Sequence, residues 1–496
     1  MSKLEVRVRF APSPTGGFHV GGARTALYNY LYARHTDGSF ILRIEDTDRT
    51  RYAEDSLADH IQGLRWLGIE WDEGPEVGGE YGPYFQSERL ELYQRYAERL
   101  VQEGRAYYCF CSTERLAHLR ERQRTEGGSM GYDRHCRELT STEISAYRSS
   151  GITPVVRLKA PLTGTTAFHD VLRGDISVDN RTLEDLVLLK SDGFPTYHLA
   201  AVVDDHLMRI THIMRGDEWL TSVPQRIVLY DAFGWIPPKY IHLPTILDPS
   251  GKGKLSKRRK HEPGERAYPV FVNEFATLGY LPEAMVNYLA RVGWSLDDKT
   301  ELFSMEELID HFDPSGISKA PAVFSYDKLA WMNGIYIRRL EKEALAKRLV
   351  PFLERAGFEA DLSMALGLAP LVQERTKQLS DVPSLVDFFF VDKLDYEPEL
   401  LVQKKMDAEG TLEALAAAEE ALSGLSAFDE QSLESVLRAL AERLNLKAGQ
   451  LFGTVRVAVT GRRVAPPLFG TLKVLGKEKV LDRLSLARAL LEEDRA

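Results

Sequence analysis

Residues Phe10 to Arg24, reading FAPSPTGGFHVGGAR, restrict the fold more than any other part of the chain. Before them, Val6, Val8 and Phe10 alternate with Arg7 and Arg9, the period of a short strand. After them, Ala26, Leu27, Tyr30, Leu31 and Ala33 predict a helix over Ala23 to His35. Between strand and helix, two prolines stiffen the loop and four glycines leave stretches of backbone bare. Such a connection can bind phosphate, because unpaired N–H groups and the positive end of the helix dipole point at the ligand. His19 adds an imidazole able to follow charge onto a phosphate. The same residues also serve as ordinary punctuation between a strand and a helix, so the loop alone leaves both uses open. It is not a Walker loop, since G-x-x-x-x-G-K-[ST] occurs nowhere in the chain.

The pattern that follows is α/β. Ser39 to Ile44 reads as a second strand ending in Arg43 to Arg49 (RIEDTDR), which places carboxylates and arginines where open α/β sheets bind ligands. A solvated loop of internal ion pairs is the alternative. Helices are expected over Ala53 to Gly68 and Ser87 to Glu103, and Thr153 to Thr182 is rich in strands and turns. Leu186 to Leu189 is a continuous apolar run of the kind buried in a parallel sheet. Thr211 to Met214 and Tyr240 to Leu247 read as further strands, with a helix over Ser222 to Phe233 between them. The economical fold is a parallel sheet interrupted by a strand-containing insertion and then completed.

Asp248 to Lys260 (DPSGKGKLSKRRK) carries six basic residues on a Gly-containing turn. It fits a loop that closes over a triphosphate, and equally a solvated or nucleic-acid-holding basic patch. Beyond Pro263 helices dominate. Ser304 and Glu307 fit a capping box at the start of a helix reaching Phe312. Amphipathic helices are expected over Glu343 to Ala356, Met364 to Leu379, Leu412 to Leu425 and Ser432 to Leu444, which puts the border of an all-α half near Leu340. The formal charge of −10 excludes a uniformly basic nucleic-acid binder but not a local basic face. No apolar run approaches the ~18 residues of a membrane span, and the N-terminus has no signal-peptide core. A cytoplasmic protein with no membrane partner is expected.

Cys109, Cys111 and Cys136 are the only cysteines among the 496 residues. An odd number argues against a disulfide framework and raises a metal reading. Tetrahedral zinc needs a fourth ligand. Glu138 mirrors the Cys-x-Cys spacing, Tyr132 is the alternative, and His135 is chemically suited but adjacent to Cys136. Either the cluster holds a structural zinc or a remnant of one, or it is three buried or incidental thiols.

His19 in the loop and Lys254 to Arg258 (KLSKR) in the basic turn resemble the paired signatures of class I aminoacyl-tRNA synthetases. Arg9 to Gly16 (RFAPSPTG), Arg43 to Asp48 (RIEDTD) and Asp192 to Ala200 (DGFPTYHLA) resemble the bacterial-type glutamyl branch of that family. The resemblance runs from Val6 to about Leu491. It implies an α/β half with an interrupted Rossmann fold, followed by an all-α anticodon-binding half. The implied segments are residues 1–85 and 186–250 for the two parts of the Rossmann domain and 86–185 for an acceptor-end insertion with the cysteine knuckle. Residues 251–340 would carry the KLSKR loop and stem contacts, and 341–496 the anticodon region.

Carried over by position, Arg9, Ala11, Ser13, Glu45, Tyr197 and Arg215 hold glutamate, with the guanidinium groups suited to a dicarboxylate. His19, Gly21, Gly22, Glu218, Ile246, Lys254, Leu255, Ser256, Lys257 and Arg258 match the ATP site. His19, Lys254 and Lys257 would carry the transition-state charge. Gly22 stands where the general signature has a second histidine, which shifts that work onto His19, backbone N–H groups and Lys257. Ala201 stands where many relatives carry a polar residue. Arg375, ending LVQER, and Arg456 match anticodon contacts, and an arginine at 375 implies an enzyme that discriminates glutamate tRNA from glutamine tRNA. The resemblance also implies ATP with Mg²⁺, the partners L-glutamate and tRNA(Glu), and a monomer. Two other classes fit parts of the sequence. A nucleotidyltransferase acting on a small metabolite would have no use for the helical half, and a non-catalytic tRNA-binding relative would have no use for His19, Lys254 and Lys257.

Overall fold

The computed structural model describes residues 5–48, 53–126, 131–256 and 268–494. Lys257 and Arg258 lie outside the described residues. The chain forms two compact units, Met1–Phe275 with Met285–Tyr326, and Ala276–Ala284 with Asp327–Ala496. Leu340 therefore falls inside the second unit.

The described strands of the first unit are β1 (Arg7–Phe10), β2 (Ser39–Leu42), β3 (Ala106–Cys109), β4 (Val155–Leu158), β5 (Thr165–Asp170), β6 (Gly174–Asp179), β7 (Val187–Leu189), β8 (His212–Gly216), β9 (Lys239–Leu243), β10 (Ile246–Leu247) and β11 (Ala322–Val323). β1 runs parallel to β2, with Arg7 opposite Ser39. Beside it, the Thr211 N–H at the start of β8 donates to the Arg7 carbonyl (2.9 Å). β8 and β9 are parallel, and the sheet continues in the order β6-β5-β9-β8. These strands are short, with β1 buried throughout and β8 buried up to Gly216, as expected of strands covered on both faces of a parallel sheet.

Three strand expectations need correction. Leu186 to Leu189 does not enter the parallel sheet: β7 pairs antiparallel with β4 in a separate sheet ordered β3-β4-β7. Leu188 is covered there by the helix Leu90–Gln102, whose Tyr93, Ala97 and Leu100 belong to the same core. A short apolar run has one composition whichever way its neighbours run, so periodicity could not tell them apart. The run from Tyr240 to Leu247 is broken into β9 and β10 at Pro244, which has no N–H to give to a ladder. The β5–β6 hairpin, expected in the insertion, extends the main sheet instead, with Asp170 opposite Tyr240.

The first helix starts at Val20, ahead of the expected Ala23, because the His19 side chain caps it: the Gly21 N–H donates to His19 Nδ1 (3.0 Å). The capping box forms as read, with the Ser304 N–H donating to Glu307 (2.8 Å) and the Glu307 N–H donating to Ser304 (3.2 Å).

The described residues of the second unit form helices and turns around two apolar clusters. One gathers Leu345, Leu349 and Leu353 of the helix Lys342–Arg355 with Leu368 and Val372 of the helix Leu362–Val372. The other joins the helices Ala408–Ser423, Glu430–Arg443, Ala448–Thr460, Leu468–Leu475 and Lys477–Glu493. The helix expected to reach Leu379 stops at Val372. Gln373 turns its amide onto the carbonyls of Ile337 (3.0 Å) and Leu340 (2.8 Å), and Asn333 takes the Lys377 carbonyl (2.6 Å), which draws the chain off the helix axis. Among the described residues no helix is long and apolar enough to cross a membrane.

Candidate active site

The loop after β1 brings His19 to the head of the first helix. With its Nδ1 accepting from Gly21, the neutral ring carries its proton on Nε2. Burial, helped by Lys254, lowers its pKa to about 4, so near pH 7 it is a neutral donor rather than a cation. Two glycines of this loop sit in tight surroundings, against different neighbours. A Cβ at Gly17 would meet Phe271 at 3.0 Å, whereas one at Gly21 would press on the His19 ring at 3.3 Å. Gly22 is in looser surroundings, its nearest neighbour for a Cβ being Phe18 at 3.5 Å.

The C-terminal ends of β1 and β2 open onto a buried charge network. Arg9 Nε donates to Asp205 (3.1 Å), Arg43 donates to Asp205 (2.7 Å) and to Glu45 (3.0 Å), and Arg89 donates to Asp204 (2.8 Å). Burial opposes ionisation of Asp205, but Arg9 and Arg43 overcome it and hold the carboxyl down at about 2. Burial wins at Glu45, whose pKa rises despite Arg43 and Arg9. Ser13 Oγ donates to the Glu45 carbonyl (2.9 Å), fixing the end of β2 against the loop.

Arg215, at the end of β8, is placed by a relay. Its Nε donates to His242 Nε2 (3.1 Å), and His242 Nδ1 donates to Asp170 (2.7 Å), which also accepts from the His242 N–H (3.1 Å). Asp170 stays ionised: burial disfavours that form, but the bonds from His242, Arg173 and Leu172 hold its pKa below the ordinary range. Arg215 Nη1 is buried with no hydrogen-bond partner. Burial, followed by repulsion from Arg226, brings its pKa down to about 10, still cationic near neutrality.

Arg9, Ala11, Ser13, Glu45, Tyr197 and Arg215 line an open cavity of about 1330 Å³. His19, Gly21, Gly22, Glu218, Ile246, Lys254, Leu255 and Ser256 line the same cavity. Lys254 reaches Glu218 (2.8 Å), and the Leu255 N–H donates to the Ile246 carbonyl (2.9 Å), so the start of the basic turn is laid along β10. The assembled groups can hold an anionic small molecule beside a polyphosphate and stabilise charge on it without a nucleophilic side chain.

Several members of this site escaped the sequence reading. Asp204 and Asp205 gave a signal, two carboxylates directly after the apolar run Leu199 to Val203 in the helix Tyr197–Leu207. Arg43 lay within the RIED stretch but carried no assignment. Asp170, His242 and Arg226 stand in ordinary strand and helix sequence and gave none.

The three cysteines converge, with all ligand atoms within 4.8 Å of one another. Cys111 and Cys136 Sγ are 3.5 Å apart, near the ~3.8 Å separation that two sulfurs bound to one zinc would have. Tyr132 Oη lies 3.3 Å from Cys109 Sγ and 3.4 Å from Cys111 Sγ. Hydrogen bonding from Cys136, and then from Tyr132, holds the Cys109 thiol far below its usual range against the effect of burial. Glu138 does not join them: its side chain is 82% exposed and faces Arg137 (3.6 Å), because the chain turns outward after Cys136. Three thiols and a phenol form a donor set that fits zinc, with Tyr132 rather than Glu138 in the fourth place.

In the second unit, Arg375 sits in the turn after Val372 rather than on a helix, and its Nη1 donates to the Ala465 carbonyl (2.9 Å). Arg456, in the helix Ala448–Thr460, feels its charge: burial and then Arg375 lower the Arg456 pKa. The two arginines expected to read an anticodon are thus neighbours.

The catalytic domain of tRNA synthetases class I (E and Q) matches residues 5–331, and an anticodon binding domain matches residues 344–488. The chain is 50% identical over 494 residues to the glutamate--tRNA ligase of Dehalococcoides mccartyi strain CBDB1, covering 99% of this chain and 98% of that protein. It is 49% identical over 500 residues to the glutamate--tRNA ligase of Roseiflexus castenholzii, covering 98% and 96%. Among solved structures, a glutamate tRNA ligase from Elizabethkingia meningosepticum in complex with its amino acid superposes with a TM-score of 0.90 at 36% identity, over 98% of this chain and 100% of the other.

Proposed function

The chain belongs to the class I glutamate–tRNA ligases, attaching glutamate to tRNA with the use of ATP, and we propose that it does so through glutamyl-adenylate and selects tRNA(Glu) over glutamine tRNA. The observation that carries the reading is the single cavity that joins the arginine-lined pocket to the His19 loop and to Lys254, Leu255 and Ser256.

Glutamate enters with its side-chain carboxylate toward Arg9 and Arg215 and its ammonium toward Glu45. Tyr197, Ala11 and Ser13 shape the pocket between them. The α-carboxylate attacks the α-phosphorus of ATP, the bond to the β-phosphate oxygen breaks, and pyrophosphate leaves. The terminal ribose hydroxyl of tRNA then attacks the mixed anhydride, giving glutamyl-tRNA and AMP. His19 donates from Nε2 to a phosphate oxygen, Gly21 and Gly22 let the backbone approach, and Glu218 and Ile246 border the nucleotide. Lys254 and Lys257 offset the developing charge, and Leu255, Ser256 and Arg258 belong to the same nucleotide-binding stretch. Mg²⁺ accompanies ATP.

Residues 86–185 handle the acceptor end, stiffened by zinc on Cys109, Cys111, Cys136 and Tyr132, a structural role without a chemical step. Residues 251–340 touch the stem, and Arg375 and Arg456 touch the anticodon. The enzyme works as a cytoplasmic monomer. ATP-dependent charging of purified tRNA(Glu) with labelled glutamate tests the whole reading: charging with one AMP and one pyrophosphate formed per glutamate is expected, and no charging would overturn it.

A further inference from the structure

Arg9, Arg43 and Arg89 are each balanced by a carboxylate among Asp204, Asp205 and Glu45. Arg215 and Arg226 have no carboxylate at ion-pair distance among the described residues, although both are buried. Arg226 is the more extreme, at 1% exposure with Nε, Nη1 and Nη2 all lacking a hydrogen-bond partner. Its guanidinium lies over the Tyr197 ring, 4.6 Å from the centroid, and it is close enough to Arg215 to repel it. The Tyr197 and Tyr240 phenols, and then Asp205 from a distance, favour its charged form, yet the phenols are neutral and that carboxylate is already bonded to Arg9 and Arg43.

Packing does not account for an arginine here. Its neighbours on the helix Val223–Phe233, among them Val223, Ile227, Val228 and Leu229, are buried and apolar. A long apolar side chain would fill the place without burying an unpaired charge, which is among the least favourable things a core can hold. Arg226 therefore requires an explanation outside the resting protein. The cavity wall nearest to it is Tyr197, with Arg215 alongside. Ala201, one turn beyond Tyr197 on the same helix face, brings only a methyl group to this region.

We propose that Arg226 is a specificity-determining positioning residue: from behind the Tyr197 ring it adds a second uncompensated cation to that of Arg215, so that the pocket accepts an amino acid ending in a carboxylate and disfavours the isosteric carboxamide. The inference rests on the glutamate reading above and extends it to a residue that does not itself touch substrate. A carboxylate gains attraction from Arg226 across the ring, whereas a neutral amide gains almost none. The cation also holds Tyr197 in place through its face.

The test measures tRNA charging with glutamate and with glutamine for wild type and for Arg226→Met, Arg226→Gln and Arg226→Lys. In the two neutral variants the ratio of kcat/KM for glutamate over glutamine should fall roughly 10–100-fold, mostly through glutamate, while the KM for ATP is unchanged. Arg226→Lys, which keeps the charge, should hold the ratio within about fivefold of wild type. A purely structural arginine would lower both amino acids together, and that result would overturn the inference. So would an unchanged ratio, or failure of both neutral variants to fold. If wild type itself uses glutamine as readily as glutamate, the glutamate reading fails first. Preference intact in wild type and in the neutral variants removes only the role of Arg226.

Discussion

Among the described residues the catalytic unit buries eight arginines, Arg7, Arg9, Arg24, Arg43, Arg89, Arg157, Arg215 and Arg226, whereas the helical unit buries Arg483 alone. Arg483 is consumed by structure: its terminal nitrogens donate to the carbonyls of Val459 (2.6 Å), Phe388 (2.7 Å) and Val391 (2.6 Å), tying three chain segments together. Its Nε alone is left unbonded, whereas Arg215 leaves the terminal Nη1, and Arg226 both terminal nitrogens, without a partner beside the substrate cavity. The contrast separates two uses of a buried cation. One kind replaces water with carbonyls and holds the fold. The other stays unsatisfied until a substrate arrives, and the surrounding sheet has to tolerate the strain of holding it.

The largest effect should come from Arg215→Ala. Glutamate kcat/KM should fall by roughly 10³-fold or more, since the variant removes the cavity-lining cation that the Asp170–His242 relay aims. A loss under tenfold would erase the distinction between the two kinds of arginine.

In the helical unit the sensitive positions are apolar. Leu437 is fully buried in its core, and Leu437→Ala should cost about 2–5 kcal/mol in the unfolding of that unit. Calorimetric glutamate binding should be unchanged, and a weakened affinity would show that the units do not divide the work as described.

Acid should also separate them. His19 and His198 have pKa values lowered to about 4 by burial, and the helical unit, Ala276–Ala284 with Asp327–Ala496, contains no histidine. A histidine depressed on folding binds its proton more readily when unfolded. Its contribution is complete above pH 6.5 and is lost as pH falls from 6.5 toward 4. Over that window the catalytic unit should lose on the order of 1 kcal/mol per histidine, visible as a falling urea midpoint, and the helical unit should lose nothing by this route. Equal losses in both would contradict the assignment.

The smallest effect concerns tRNA choice. Arg375→Gln should lower the preference for glutamate tRNA over glutamine tRNA by about tenfold, through loss of one charged donor to the third anticodon base. Side-by-side charging of the two tRNAs measures it, and a preference unaltered by the substitution would free Arg375 from that role.

The same contrast explains what could be read from the sequence. The helical unit was readable because amphipathic spacing is a local signal. Leu412 to Leu425 and Ser432 to Leu444 each come within a few residues of the observed helices, and the miss at Leu379 follows from Gln373 and Asn333, whose bonds are not local. The loop from Phe10 to Arg24 was readable for the opposite reason, as its residue types are rare in combination. The network behind it was not. Asp170 meets His242 across 72 positions and Arg43 meets Asp205 across 162, and neither pair leaves a periodicity. The reassignment of β7 has the same origin, since strand direction is decided by partners far away in the chain. For the cysteines, spacing brought forward Glu138, but the turn after Cys136 sends it to solvent and Tyr132 arrives from four residues earlier.

The most direct measurement is the ratio of kcat/KM for glutamate and glutamine in wild-type tRNA charging under one set of conditions. If unbonded buried guanidinium groups select the dicarboxylate, glutamate should be favoured by roughly 10³-fold or more, because the amide leaves those groups without a charged partner. A ratio within tenfold would contradict that claim, and Arg215 and Arg226 would then have to be counted with Arg483 as parts of the fold alone.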